Sequence, residues 1–408
     1  MRKSFLFLGF AIPDSEMQTV FRRDRLPAVQ THRFVWNLIK AILSNDTFDC
    51  TFVCTRPVSD YPGYPHRIVR SANWCLKVLD RDIEIKEIPF LNFGISKVVT
   101  RFLSGLFYSI AGFHAKHDKC GVIVYSVHVP FMLIGYIVSL IYGIDFIAVW
   151  TDPPAVPNAG DGWLKSRLRN VERYLSVFLM RKAKKVISIT RHLAEDFAPY
   201  SPYLVMEGIV DCTEKCAASI DDKARDIDQD RITFVYTGSL EKRYGVDKIV
   251  EAFLMMEDDL AILEIYGRGS YEEELKAIYQ MTQKVRYHGF VSQEEAVLVQ
   301  RRADFLIDAR SPEDEYVRYS FPSKILEYML SGTPVLTTIL PGMPEDYRDY
   351  VIPLENNDPV TIRNAVAEAI KLDKQKRAEI GRRAMEFAKL RDYRNQGRRI
   401  GGFLGGHK

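Results

Sequence analysis

A hydroxyl, an ammonium and a carboxylate, those of Ser323, Lys324 and Glu327, fall within about one helical turn of each other in the segment YSFPSKILEYMLSGTPVLTT, residues 319–338. Pro322 suits a first helical residue, and Gly332 followed by Thr333 and Pro334 supplies a stop. The spacing predicts a short helix over 322–331 and a buried strand over 335–338. The first-turn N–H groups of such a helix, including those of Ser323 and Lys324, lack intrahelical partners and sit at its positive dipole end. An anion fits there, and phosphate suits it. Helical side chains lean toward the N-terminus, so Glu327 reaches toward hydroxyls on whatever carries the phosphate. Phosphate beside vicinal hydroxyls describes a nucleotide sugar. A capped helix with Lys324 and Glu327 solvated is the plainer reading of the same residues.

Other turns offer further groups. The segment FVYTGSLEKRYGVDKIVEAF runs a buried strand into Gly238 and Ser239, then Lys242, Arg243 and Gly245 ahead of a helix. Glycine lets the backbone approach a ligand, and two cations in that turn can neutralise a diphosphate. In IYGRGSYEEEL, Gly267 and Gly269 follow a strand, but Glu272 takes the place of the third glycine of a dinucleotide fingerprint, which argues against hydride chemistry. His128, in YSVHVP, lies just past a strand end. Asp152, in VWTDPP, does too, and there a turn cap is the simpler role.

These segments resemble the donor-binding motif of retaining glycosyltransferases of the GT-B fold, family 4 (glycosyl transferases group 1), in a bacterial polysaccharide-type form. The family pattern is Glu, seven residues, Glu, a small-residue turn and Pro-Val. Glu327 matches the second Glu, while Tyr319 stands where the first Glu contacts the transferred sugar. The resemblance implies that Glu327 anchors the ribose and that Lys324, Arg243, Lys242 and the Ser323 amide meet the diphosphate. It implies a donor site lined by Gly238, Ser239, Gly267, Tyr319, Ser320, Phe321 and Pro322, with the YHGFV stretch, 287–291, beside the base. His128 is implied near the sugar, so His128, Arg243, Lys324 and Glu327 form the catalytic set. Ser239 replaces the family's usual Arg, which makes Lys242 and Arg243 stand-ins by proximity. The loop after the first strand, GFAIPDSEMQTVFRRDRLPAVQTHRF, faces the acceptor in such enzymes and nominates Gly9, Gln30 and Thr31.

The implied reaction moves a hexosyl-type group from a nucleoside diphosphate sugar to a hydroxyl acceptor, in cell-surface polysaccharide or glycoconjugate assembly. No cofactor and no metal are expected. Two rivals stand beside it. One is a donor-binding pseudoenzyme that activates a partner, motivated by Tyr319 and Ser239; the other is a different GT-B enzyme, such as a nucleotide-sugar epimerase. Asp80-Arg81-Asp82 matches the metal-binding Asp-x-Asp of the other large glycosyltransferase fold in letters only.

The elements that must hold these groups alternate. Apolar strands near 5–9, 51–55, 83–88, 122–126, 146–150 and 185–190 are interleaved with helical stretches, and the alternation restarts at 232. Such alternation means parallel sheets covered on both faces. The expected fold is α/β, two Rossmann-like domains facing a cleft: 1–205 for the acceptor and 206–390 for the donor, with a polar connection over 211–230. Residues 391–408 read as a segment packing back on the first domain or as a frayed basic end.

A chain of 408 residues, 47% hydrophobic and 27% charged, exceeds one small core. A net charge of +3 argues against nucleic-acid binding as its main business. The six cysteines include no CxxC pair, which disfavours a zinc site and suits reduced thiols. Residues 131–150 resemble a membrane span but are interrupted by Gly143 and Asp145. The apolar run 5–12 after Arg2 and Lys3 is too short for a secretory signal and reads as a first strand. Lys165, Arg167, Arg169, Arg173, Arg181, Lys182, Lys184 and Lys185 decorate a helix also rich in Leu, Val and Phe. That helix offers either a solvated face or a contact with anionic lipid. The expected location is cytoplasmic, with peripheral contact at the inner face of the membrane as the variant that suits a lipid-linked saccharide acceptor.

Overall fold

A computed structural model describes residues 2–25, 29–114, 119–154, 162–215, 231–257 and 259–405. It divides into two compact units, Met1–Ile209 with Tyr393–Lys408, and Val210–Asp392. The chain passes from the first to the second after Ile209 and returns after Asp392.

The sheet of unit one runs, in spatial order, Tyr203–Val205, Lys185–Ser188, Asp145–Trp150, Lys119–Tyr125, Lys3–Gly9, Phe48–Cys54, Arg81–Glu87 and Ala72–Val78. The central strands are mostly apolar, as in Phe5–Leu8, Val122–Tyr125 and Phe146–Trp150, because helices cover both faces. The last pair departs from the expected parallel sheet. Ala72–Val78 and Arg81–Glu87 form an antiparallel hairpin whose turn residues, Leu79 and Asp80, have φ of 50° and 60°. Left-handed turn residues match the strand twist, although neither is the usual Gly or Asn. The Asp80-Arg81-Asp82 triplet is therefore a turn and a strand start.

A second difference lies in the segment read as one long loop after the first strand. Residues Asp14–Arg23 form a helix there, burying Met17 and Val20, with Asp14 and Glu16 in its first turn and Arg22 and Arg23 in its last. That charge order complements the helix dipole. The helix Val29–Leu43 follows, and Tyr393–Gly405 packs against it as the final helix of unit one. A Cβ at Gly397 would lie 2.3 Å from the Ala41 carbonyl oxygen, so the two backbones meet closely. Of the connection expected over 211–230, Cys212–Lys215 is a short helix and 216–230 lies outside the described residues.

Unit two holds six parallel strands in the order Val285–Gly289, Ala261–Arg268, Ile232–Ser239, Phe305–Asp308, Val335–Thr338, Ile352–Leu354. At its centre Phe305 stacks on Phe234, and Phe253 meets Phe234 edge-on. The chain builds outward from Ile232–Ser239 toward one edge, then restarts at Phe305–Asp308 and builds toward the other. The order thus reverses between these two strands, and in open α/β sheets a crevice forms beyond the strand ends at such a point. In unit one the reversal falls between Lys3–Gly9 and Lys119–Tyr125.

Candidate functional site

The helix Ser323–Ser331 begins beside the switch point of unit two. Pro322 is its N-cap residue rather than its first helical residue, and no side chain caps it. Of its first-turn amides, that of Ile325 donates to the Pro322 carbonyl at 2.8 Å, and those of Ser323 and Lys324 lie at the positive end of the dipole. Tyr328 fixes the helix to the sheet: its hydroxyl accepts from the Thr237 N–H at 2.8 Å and donates to the Thr237 carbonyl at 3.1 Å.

This anchoring lays Lys324 across the strand end. Its Nζ stands 3.9 Å from the centre of the Tyr236 ring and 3.5 Å from Asp308 Oδ1. Gly238 has φ of 140°, and a Cβ there would sit 2.6 Å from Nζ, so only glycine leaves the ammonium its place. Gly267, on the neighbouring strand, has φ of 148°, and its Cβ would fall 1.8 Å from the Gly238 carbonyl oxygen. The two glycines let strand ends, cation and helix converge.

Arg310 is the second cation, two residues beyond the strand Phe305–Asp308. Its Nε lies 3.4 Å from Asp308 Oδ2, and its guanidinium covers the Tyr244 ring at 4.5 Å. One buried carboxylate, 1% exposed, thus serves two cations whose side chains are 13% and 15% exposed. Lys324 Nζ, Arg310 Nε, Asp308 Oδ1 and Ser320 Oγ are all buried and have no hydrogen-bond partner among the described residues. Buried donors without acceptors are costly, and an anion would satisfy them. Burial, with Arg310 nearby and only partial relief from Asp308, brings the Lys324 ammonium down to about 8. Burial works hardest against the Arg310 charge, but the Asp308 carboxylate together with Tyr236, Tyr316 and Tyr244 outweighs it and holds the guanidinium above its ordinary value.

Glu327 is half-buried one turn further along, where Gln300 Nε2 donates to its Oε1 at 3.0 Å and to Thr237 Oγ1 at 2.8 Å. Thr333 Oγ1 in turn donates to the Gln300 carbonyl at 2.7 Å. Gln300 is fully buried, so the carboxylate is held from beneath.

The remaining donor candidates divide. Arg243 joins this neighbourhood through Tyr244, donating to its hydroxyl at 3.0 Å while Arg310 covers the same ring. Lys242 instead pairs with Glu274 at 2.8 Å and covers Tyr271. The Phe321 ring packs on Tyr347 in the core, so its role is to set the chain entering the helix. Tyr319 follows a 3-10 turn, its N–H donating to the Tyr316 carbonyl at 3.1 Å; Ser323 is exposed, and the Ser239 carbonyl accepts from Tyr236 at 2.7 Å. Along 287–291, Tyr287 donates to the Gly267 carbonyl, His288 stacks on Tyr266 with centroids 4.5 Å apart, and Phe290 is exposed.

In unit one, His128 N-caps the helix Val129–Tyr142 after Ser126, whose φ of 73° is unusual for a serine. Its ring meets Phe10 and Phe131 edge-on at 5.1 and 4.9 Å, and its Nδ1 is buried without a partner. Burial, then Arg101 and Lys97, keep the imidazole well below its ordinary value, hence neutral near pH 7. Gly9 lies against Tyr125 at the same switch point, a Cβ there standing 3.3 Å from that of Tyr125. Gln30 and Thr31 fall in the helix Val29–Leu43, their side chains outside the described residues.

Sequence reasoning passed over Arg310 and Gln300. The signal for Arg310 was a charge directly after the buried run FLIDA; Gln300 had none beyond a polar residue on the inner side of an amphipathic helix.

Residues 218–387 match the model of a family described as glycosyl transferases group 1. No curated protein matches the chain in sequence. Solved structures match in fold. The Anabaena protein HepE in complex with UDP is 14% identical, with 99% of this chain and 100% of that one covered and a TM-score of 0.61. A sucrose-phosphate synthase from Thermosynechococcus elongatus is 14% identical over 98% of each chain, with a TM-score of 0.65. An alpha,alpha-trehalose-phosphate synthase (UDP-forming) from Burkholderia xenovorans, in complex with glucose-6-phosphate, is 10% identical over 99% of this chain and 100% of that one, with a TM-score of 0.66.

Proposed function

We propose, from the premise that residues 218–387 are a glycosyl transferases group 1 domain within a glycosyltransferase of GT-B fold, that this chain is a retaining hexosyltransferase. Its donor is a nucleoside diphosphate sugar, its acceptor a saccharide hydroxyl, and its setting the assembly of a cell-surface polysaccharide or glycoconjugate. Structures of similar fold are complexes with UDP, UDP-glucose and glucose-6-phosphate, which supports that donor and acceptor chemistry. A lipid-linked acceptor and peripheral membrane contact belong to the same proposal.

The observation that carries it is the set of orphaned buried donors on Lys324, Arg310 and Ser320 beside an uncapped helix end. Breaking the bond from the anomeric carbon to the β-phosphate oxygen leaves charge on the diphosphate. Fixed cations and amides aimed at that charge lower the barrier. Lys324 and Arg310 fill this role without a metal, with Arg243 and Lys242 at the margin. Glu327, held by Gln300, receives the ribose hydroxyls. His128, neutral and hydrophobically seated, contacts the transferred sugar. The acceptor proton leaves with the departing phosphate oxygen, since Tyr319 offers no carboxylate base.

Thermal shift and donor hydrolysis across nucleoside diphosphate sugars test this, with Glu327→Ala and Lys324→Ala alongside the wild type. Donor at about 100 times its Kd stabilises the fold by roughly 2.7 kcal/mol. One donor that stabilises the wild type but neither variant, and is slowly hydrolysed, is the expected result. Tyr319 favours a second reading, a donor-binding subunit that activates a partner; binding without turnover, even with acceptors supplied, would establish it.

A further inference from the structure

The helix Gly94–His114 turns its charges inward. Lys97 donates to the Val58 carbonyl and to Asp60, both at 2.7 Å, while Arg101 lies over Phe90 and donates to the Arg56 carbonyl at 2.8 Å. Outward it shows Ile95, Val99, Leu103 and Phe107, the last 69% exposed. A series at i, i+4, i+8, i+12 is what a helix normally sets against a core. The adjoining helix Val129–Tyr142 exposes Leu140 and Ile141. The next, Trp163–Met180, exposes Trp163 at 70%, Tyr174 at 79% and Phe178. Three neighbouring helices of one unit therefore present apolar side chains outward, far beyond the scattered exposure of an ordinary surface.

Cations accompany the aromatic rings. Arg167 lies 4.5 Å over Trp163 and Lys182 5.1 Å over Phe178, with Arg173 and Arg181 exposed beside them. We propose that this face of unit one docks in the plane of an anionic lipid bilayer, its apolar stripes entering the acyl boundary and its cations meeting lipid phosphates. Amphipathic helices with basic margins and aromatic edges bind bilayers in this way. A second copy of the chain fits less well. A two-fold contact sets the same patch against itself, which would bring Arg167, Arg173, Arg181 and Lys182 against their own kind. Neighbouring lipid phosphates compensate those charges instead. The proposal deepens the transferase reading only in giving the docking a purpose, a lipid-linked acceptor at the bilayer surface.

The test is sedimentation of the full chain with vesicles, without donor or acceptor. Phosphatidylcholine containing phosphatidylglycerol should bind it, and phosphatidylcholine alone should bind it far less. Arg167→Gln and Arg173→Gln should each weaken binding about fivefold, the equivalent of one surface cation. Leu103→Glu should weaken it more than about tenfold. All these positions are exposed, so each variant should keep the wild-type far-UV spectrum. Equal binding to both vesicles, or to neither, overturns the proposal. So does a wild-type dimer that Leu103→Glu dissociates and that ignores vesicles. Selective vesicle binding without any sugar transfer would leave the docking standing and sink the transferase reading.

Discussion

Lys324→Met separates the stability of the fold from its readiness for an anion. In the wild type the ammonium is desolvated against Tyr236 and shares Asp308 with Arg310, which brings it from its ordinary 10.5 to about 8. At about 1.4 kcal/mol per pH unit, keeping the proton at neutral pH costs roughly 3 kcal/mol. Methionine preserves most of the stem packing, and that cost is already net of what the Tyr236 ring gives the charged form. The variant should therefore be up to about 3 kcal/mol more stable than the wild type at neutral pH, a rise of roughly 6–12 °C in Tm. The sign of its pH dependence follows from the depressed pKa. Between about 8 and 10.5 the unfolded lysine holds a proton that the folded one has lost, so wild-type stability climbs with pH and the gap should close. Urea unfolding of both proteins near neutral pH and near pH 10, with and without UDP, measures this. UDP should stabilise only the wild type. A variant less stable than the wild type, or a gap indifferent to pH, would refute the claim that Lys324 is held at a cost for an anion.

Three further outcomes follow from the same geometry. A diphosphate beside Lys324 favours its charged form, so affinity should hold below pH about 8 and fall up to tenfold per unit above it; calorimetry in buffers of different ionisation heat should show proton uptake near that pH, and a flat profile would place the diphosphate elsewhere. Gly267→Ala drives a Cβ toward the Gly238 carbonyl at a left-handed φ and should cost about 2 kcal/mol or more in urea unfolding. Gln300→Leu removes the donor that holds Glu327, and steady-state kinetics should show donor KM up about five- to tenfold with kcat nearly unchanged; a fall in kcat alone would move Glu327 from ribose binding to the chemical step.

Much of the second unit was legible because its signals are local. A proline and a hydroxyl at its start, with Gly-Thr-Pro at its end, marked the helix Ser323–Ser331. The segment after the first strand reads as a loop because its polar and charged residues outnumber Met17 and Val20, whose spacing is helical. The antiparallel hairpin was missed because Leu79 and Asp80 adopt a glycine-type turn without glycine.

Sequence alone determined the alternation of strands and helices, the start of the helix Ser323–Ser331 and the placing of Lys324 and Glu327 about one turn apart on it, since each depends on residues a few positions apart. Tertiary structure decided which cations count. Lys242 lies close to the glycine turn along the chain yet pairs with Glu274, whereas Arg310, at the end of the neighbouring strand Phe305–Asp308, shares Asp308 with Lys324 from the following helix. It also decided that Gln300 holds Glu327 and that Lys97 and Arg101 turn inward from an apolar helix face. Burial and charge pairing are set by segments far apart in sequence that meet at a sheet's switch point. No local spacing encodes which of them will meet.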